Sequence, residues 1–261
     1  MNRIAHSTFE IGDSPIEQEL VGAVERSELR RQPFAHIYME RAFRSEDYFE
    51  LLVAMPAERF YHPLRHHDAT RVDGSSTRLR MYLYPELLWR LPRNQRRAWA
   101  PVARALCSRH LENAFRRKFC SELEDRFGKP VGAIGLYPVP ILLRDRPGYR
   151  IGIHSDVLSK AITVQFYLPA DNAQRHIGTI FHEGRDGEMA DRTTQMPFLP
   201  ATGYAFPVCA TKSWHSAAMT TDADGERVSM MVTYYVADEP WTWLKFRLRR
   251  IGLFLGIHPK G

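Results

Sequence analysis

The residues best equipped to do chemistry in this chain are His154 and Asp156, two positions apart in the run GYRIGIHSD from Gly148 to Asp156. In an extended strand, residues i and i+2 face the same way, so this imidazole and carboxylate converge on one ion while Ser155 points to the other side. A third ligand has to come from elsewhere, and His215 in KSWHSA is the candidate. Two histidines and one carboxylate form a facial set that leaves positions on a divalent metal open for substrate, cosubstrate or dioxygen, the ligand logic of non-haem Fe(II) centres. His182, beside Glu183 in an alternating run, is the rival for the third position.

The stretch after His215 favours His215 over His182. A strand-like run leads to the turn DADG at Asp222 to Gly225, and Arg227 then opens the alternating run RVSMMVTYYV. That order reads as a hairpin, with Arg227 on the strand next to the one carrying His215. The planar fork of an arginine holds a carboxylate by two hydrogen bonds, so a dicarboxylate cosubstrate fits.

With these residues in place, the chain resembles the 2-oxoglutarate- and Fe(II)-dependent oxygenases, most closely their prolyl 4-hydroxylase-like branch. PGYRIGIHSD is similar to that branch's metal strand, KAITVQFYLP to the strand after it, and PFLPATGYAFPVCATKSWHSA to its approach to the distal histidine. The resemblance covers roughly residues 131–236, with a looser echo in PFAHIYMERAFRSEDYFELLVAMP. It implies that His154, Asp156 and His215 bind Fe(II) and that Arg227 holds the far carboxylate of 2-oxoglutarate. Tyr167 stands where hypoxia-sensing prolyl hydroxylases carry a tyrosine, which implies that it shares that carboxylate. Two departures stand out: Arg227 follows His215 by twelve positions, longer than is usual in the branch, and a single Gly178 stands where paired glycines often occur. The activity implied is hydroxylation of an unactivated C–H bond in an amino-acid, peptidyl or natural-product substrate. Dioxygen and 2-oxoglutarate are consumed, and succinate and carbon dioxide are released. Halogenation is argued against, because Asp156 supplies the carboxylate that halide-binding relatives lack.

To position such a site the chain needs a β core, and its texture supplies one. From Val131 onward short β-type runs are separated by turn residues, which indicates a sandwich or barrel, and the resemblance specifies a double-stranded β-helix of jelly-roll, cupin-like form. The fold class expected is α+β with a mainly β core. A length of 261 residues suits one elaborated domain: N-terminal helices, a strand and a loop over 1–130, the β-helix over 131–236, and a basic amphipathic segment over 237–261. With 44% hydrophobic and 25% charged residues the chain can bury a sizeable core, which excludes a disordered chain. It has no apolar run of membrane-spanning length and no hydrophobic signal region in its first thirty residues, so a cytoplasmic protein is expected. Cys107, Cys120 and Cys209 are too few and too scattered for a disulfide framework or a zinc motif.

Among the other segments, Ile16 to Leu29 and a run capped by Ser45 read as helices, and Pro33 to Glu40 as a strand. Val102, Leu106, Leu111, Phe115, Phe119, Leu123 and Phe127 form a helical stripe between Ala100 and Phe127. The stretch Phe60 to Arg80 reads as a long loop, where His62, His66 and His67 are either solvated or in contact with substrate. Arg78, Arg80 and Tyr82 alternate as one strand face would, either substrate-facing or simply amphipathic, and Arg150 faces substrate or solvent.

The net charge of +6 is local: residues 241–261 hold Lys245, Arg247, Arg249, Arg250 and Lys260 with no acidic residue. Residues 241–257 lie on an anionic membrane surface, giving peripheral association, or cover the barrel or a dimer partner. The charge favours an anionic small-molecule, peptidyl or carrier-bound substrate. A basic helix face is more often solvated than bound to nucleic acid. The competing readings are a non-catalytic metal-binding β-helix module and a basic protein that binds membrane surfaces or nucleic acid.

Overall fold

The structure is a computed structural model that describes residues 14–64, 69–71, 73–185 and 188–257, so His66 and His67 lie outside the described residues. Strands β1 (Ile37–Met39), β2 (His62–Pro63), β3 (Arg78–Tyr82), β4 (Leu136–Asp145), β6 (Lys160–Tyr167), β9 (Gly203–Pro207) and β11 (Arg227–Val236) form one antiparallel sheet in the order β1-β9-β6-β11-β4-β3-β2. Strands β5 (Ile151–His154), β7 (Thr179–Arg185), β8 (Glu188–Gln195) and β10 (Trp214–Ala217) form a second, in the order β5-β10-β7-β8. From β4 to β11 the chain passes repeatedly from one sheet to the other. This alternation winds the double-stranded β-helix.

Strand periodicity separates two cores. On β11, Met230, Val232 and Tyr234 pack with the buried helix residues Trp99, Leu111 and Phe115. Residues of opposite parity, such as Arg227, Met231 and Thr233, turn instead to the interior between the sheets. The closed part of that interior is aromatic, with Phe34, Tyr167, Phe181, Phe198, Tyr204 and Phe206 all buried in one cluster. The helices α1 (Pro15–Arg26), α2 (Ser45–Val53), α3 (Arg93–Leu106), α4 (Arg109–Lys118) and α5 (Cys120–Phe127) precede the β core, and α6 (Pro240–Phe254) follows it. Among the described residues no helix is long and apolar enough to cross a membrane.

Several expectations are corrected. The strands carrying His215 and Arg227 do not form a hairpin: β10 pairs with β5 and β7, whereas β11 pairs with β4 and β6. The DADG turn carries the chain from one sheet to the other, a step that local turn chemistry does not distinguish from a hairpin. The long stripe from Ala100 to Phe127 keeps its buried face but breaks into three helices, starting at Arg93 rather than Ala100. One break occurs where the Ser108 side chain accepts from the Leu111 amide at 3.1 Å and starts α4 as its N-cap. The helix of residues 45–53 has Arg44 at its N-cap, with no side-chain cap bond from Ser45.

Candidate metal centre

His154 and His215 are brought together by sheet register. Strand β10 runs antiparallel to β5 with His215 directly opposite His154, and the two rings lie 4.3 Å apart, centroid to centroid. Asp156 falls two residues beyond the end of β5, yet it reaches the same point. One ligand atom from each of His154, Asp156 and His215 lies within 4.8 Å of the others. Asp156 and His215 are buried, and His154 is partly open.

The surrounding groups orient these side chains as a metal would need them. His154 Nδ1 donates to the Gly152 carbonyl at 3.0 Å, and His215 Nδ1 donates to the Ser213 carbonyl at 3.0 Å. Each backbone bond sets the tautomer that leaves the Nε2 lone pair for an ion. Thr163 Oγ1 donates to one carboxylate oxygen of Asp156 at 2.6 Å, and Lys160 Nζ donates to the other at 2.5 Å. Burial pushes His215 down to about 4, so it is neutral at physiological pH. Burial alone would raise the Asp156 carboxyl. The Lys160 ammonium, His215 and the Lys160 and Thr163 hydrogen bonds outweigh that and hold it below its ordinary value. The neutral His215 imidazole and the ionised Asp156 carboxylate therefore share one point with His154, the first two in their metal-binding forms.

Beside them lies a row of charge across three neighbouring strands, in which Asp145 and Arg227 are buried and Arg78 is partly open. Arg78 on β3 and Arg227 on β11 stand directly opposite Asp145 on β4. Arg227 donates from Nε at 3.1 Å and Nη2 at 2.8 Å to Asp145 Oδ2, and from Nη1 to the Ile177 carbonyl at 2.9 Å. Arg78 Nε lies 2.7 Å from Asp145 Oδ1. Both guanidiniums flank the Tyr149 ring, at 4.5 Å for Arg78 and 5.3 Å for Arg227. Burial opposes the charge on Arg227, but Asp145, Tyr149 and Tyr167 together outweigh it and keep the group protonated. Two cations around one carboxylate leave an excess positive charge in a dry place, which attracts a further anion.

A small inner cavity of about 110 Å³ is lined by the three candidate ligands, Arg227, Gln165 and Tyr204. An outer chamber of about 660 Å³ shares Arg78, His154, Asp156 and Lys160 with it, and adds Arg80, Tyr82, Arg150 and Arg249. The alternating face of Arg78, Arg80 and Tyr82 thus lines the chamber, as does Arg150. A wider surface groove of about 1110 Å³ between α2 and α3 shares no residue with either.

Tyr167 does not reach this cavity. It lies deeper in the aromatic interior, fully buried, where its hydroxyl accepts from the Thr179 amide at 3.0 Å. Tyr204 takes the cavity wall instead, accepting from Thr179 Oγ1 at 3.1 Å and donating to Gln165 Oε1 at 2.6 Å. His182 is outside the cluster: it stands opposite Trp214 in the register, on the alternate parity to His215, and pairs with Ser216 Oγ at 2.8 Å. Reading the residues missed Asp145, Lys160, Thr163 and Tyr204. For Lys160 and Thr163 a signal existed, since both follow Asp156 closely at the head of an apolar strand. Asp145 had none, as it meets Arg227 across 82 positions.

No protein-family model and no curated protein matches the sequence. Solved structures do match by shape. A prolyl-4-hydroxylase from Pseudomonas putida superposes with a TM-score of 0.52 at 12% identity, over 85% of this chain and 100% of the other. A 2-oxoglutarate-Fe(II) oxygenase family oxidoreductase from Burkholderia pseudomallei gives 0.50 at 12% identity, over 88% and 95%. A rice dioxygenase for auxin oxidation gives 0.50 at 13%, over 94% and 93%. The sheet order and these superpositions agree: the chain has the double-stranded β-helix fold seen in solved 2-oxoglutarate oxygenases.

Proposed function

We propose that this protein is an Fe(II)- and 2-oxoglutarate-dependent oxygenase that hydroxylates a C–H bond. The observation that carries the reading is the convergence of His154, Asp156 and His215, with both Nδ1 atoms tied to backbone carbonyls, beside the buried cation Arg227. The donor set fits a divalent iron centre: two imidazoles and one carboxylate, gathered on one side and facing a cavity. His154, Asp156 and His215 would hold the iron, and Arg227 the far carboxylate of 2-oxoglutarate. When bound, the pair would activate dioxygen, one oxygen atom going to the substrate C–H bond and the other to the succinate formed as 2-oxoglutarate loses carbon dioxide.

The chain's own residues do the rest. Thr163 fixes one oxygen of Asp156 and so aims the carboxylate. Lys160 pairs with the other oxygen of Asp156, the oxygen that an ion would share with it. Arg227 has five N–H groups, and its bonds to Asp145 and Ile177 engage three of them, which leaves donors for a second carboxylate. The outer chamber, with Arg78, Arg80, Arg150 and Arg249 on its wall, suits a substrate that carries negative charge. Isothermal titration with Fe(II) under argon tests the proposal: the wild type should bind one ion per chain and Asp156→Ala should not. Undiminished stoichiometric binding by that variant would overturn the assignment.

A further inference from the structure

Helix α6 turns its apolar face outward. It is fastened by Phe246, which stacks on Tyr137 at 4.9 Å, by the buried Leu253, and by the Arg250–Glu86 ion pair. At 3.6 residues per turn, Leu244, Leu248, Ile251 and Leu255 fall on one line, on the side opposite Phe246 and Leu253. Those four side chains remain 41%, 54%, 55% and 69% exposed. Trp241, 71% exposed, stands at the head of the helix. A helix that only covered the barrel would bury this line.

The charge on the helix indicates what covers it. Lys245, Arg247 and Arg249 interleave with the apolar line, and there is no acidic residue from Pro240 to Ile257. An exposed apolar line with an aromatic end and cationic flanks matches an anionic lipid surface, where side chains enter the acyl boundary and the cations meet head groups. It does not match a second copy of the chain. Two-fold pairing of α6 would set cationic flanks against each other with no carboxylate on the helix to offset them. Arg249 also lines the outer chamber and donates to the Tyr82 hydroxyl at 3.1 Å, so the helix borders the mouth of the site. Val157, on the chamber wall, is itself 62% exposed.

We propose that α6 seats this protein on an anionic membrane surface, with the cationic chamber opening at the lipid interface. The inference does not depend on the iron reading, and metal-free protein tests it. The full chain is sedimented with phosphatidylcholine vesicles and with vesicles containing about one-third phosphatidylglycerol. Binding should appear only with the anionic lipid and weaken with salt. Leu248→Ser with Ile251→Ser should abolish it, and Lys245→Gln with Arg247→Gln should lower the partition coefficient about 25-fold, about five-fold per cation. All four positions are on or beside the exposed line, so both double variants should keep the wild-type circular dichroism and melting temperature. Equal binding to neutral vesicles would overturn the proposal, as would no binding to either. So would a dimer in light scattering that the double serine variant dissolves.

Discussion

At the residue scale, the two cations Arg227 and Lys160 each carry a separable prediction about the proposed centre. Arg227 neutralises Asp145 as well as facing the cavity, so Arg227→Ala would leave the carboxylate with Arg78 alone and cost about 3–5 kcal/mol of stability. Arg227→Lys is the cleaner probe, because it keeps the charge and loses the fork. It should weaken 2-oxoglutarate binding at least about tenfold, as one charge-assisted hydrogen bond is worth about 1.5–3 kcal/mol, with a much smaller change in denaturation midpoint. Unchanged affinity by calorimetry would remove Arg227 from the cosubstrate site. Lys160 competes with any ion for Asp156, so Lys160→Met should raise Fe(II) affinity on the order of tenfold. Equal or weaker binding would show that the ammonium does not stand in the ion's way. His154 and Asp156 were legible from residue type and spacing, whereas His215 was preferred to His182 through a hairpin that does not form and through the family resemblance; sheet register is what brings the three together. Asp145 and Tyr204 were not legible, because their roles exist only once distant strands lie side by side.

At the element scale, the site depends on strands arriving in register, and Gly178 ahead of β7 illustrates the tolerance. A Cβ there would sit 1.8 Å from the Met196 carbonyl oxygen and 3.1 Å from the Phe198 amide nitrogen. Gly178→Ala should force β7 and the chain beyond β8 apart, costing about 1–3 kcal/mol, and should disturb the Thr179 contacts of Tyr167 and Tyr204. A denaturant midpoint equal to wild type would contradict this. Most strands could be read from β-branched and aromatic runs. Strand β8, EMADRTTQ, could not, because an edge strand with polar residues has no apolar alternation to betray it. The sheet partner of each strand was hidden too: a hairpin and a sheet-switching turn share the same turn residues. Arg227 nonetheless reaches the cavity that His215 lines, from the opposite sheet.

At the scale of the whole molecule, the fold packs helices on one face of the large sheet and leaves the interior between the sheets to aromatic residues at one part and charge at another. Ligands held by both sheets should tie the sandwich together. Fe(II) and 2-oxoglutarate at about 100 times their dissociation constants should each add about 2.7 kcal/mol. At about 2–4 °C per kcal/mol, each should raise the melting temperature by about 5–10 °C. Calorimetry should show the rise in wild type and none for iron in Asp156→Ala; a shift of equal size in the variant would place the ligand elsewhere. In the proposed centre one ion would be held by His154, Asp156 and His215, with 2-oxoglutarate bound to it. The most direct measurement is an anaerobic titration with Fe(II) and 2-oxoglutarate, followed by the visible charge-transfer absorption of the chelate. The wild type should develop the band and His215→Ala should not. A folded wild type with no band, or a band that survives in the variant, would contradict the account.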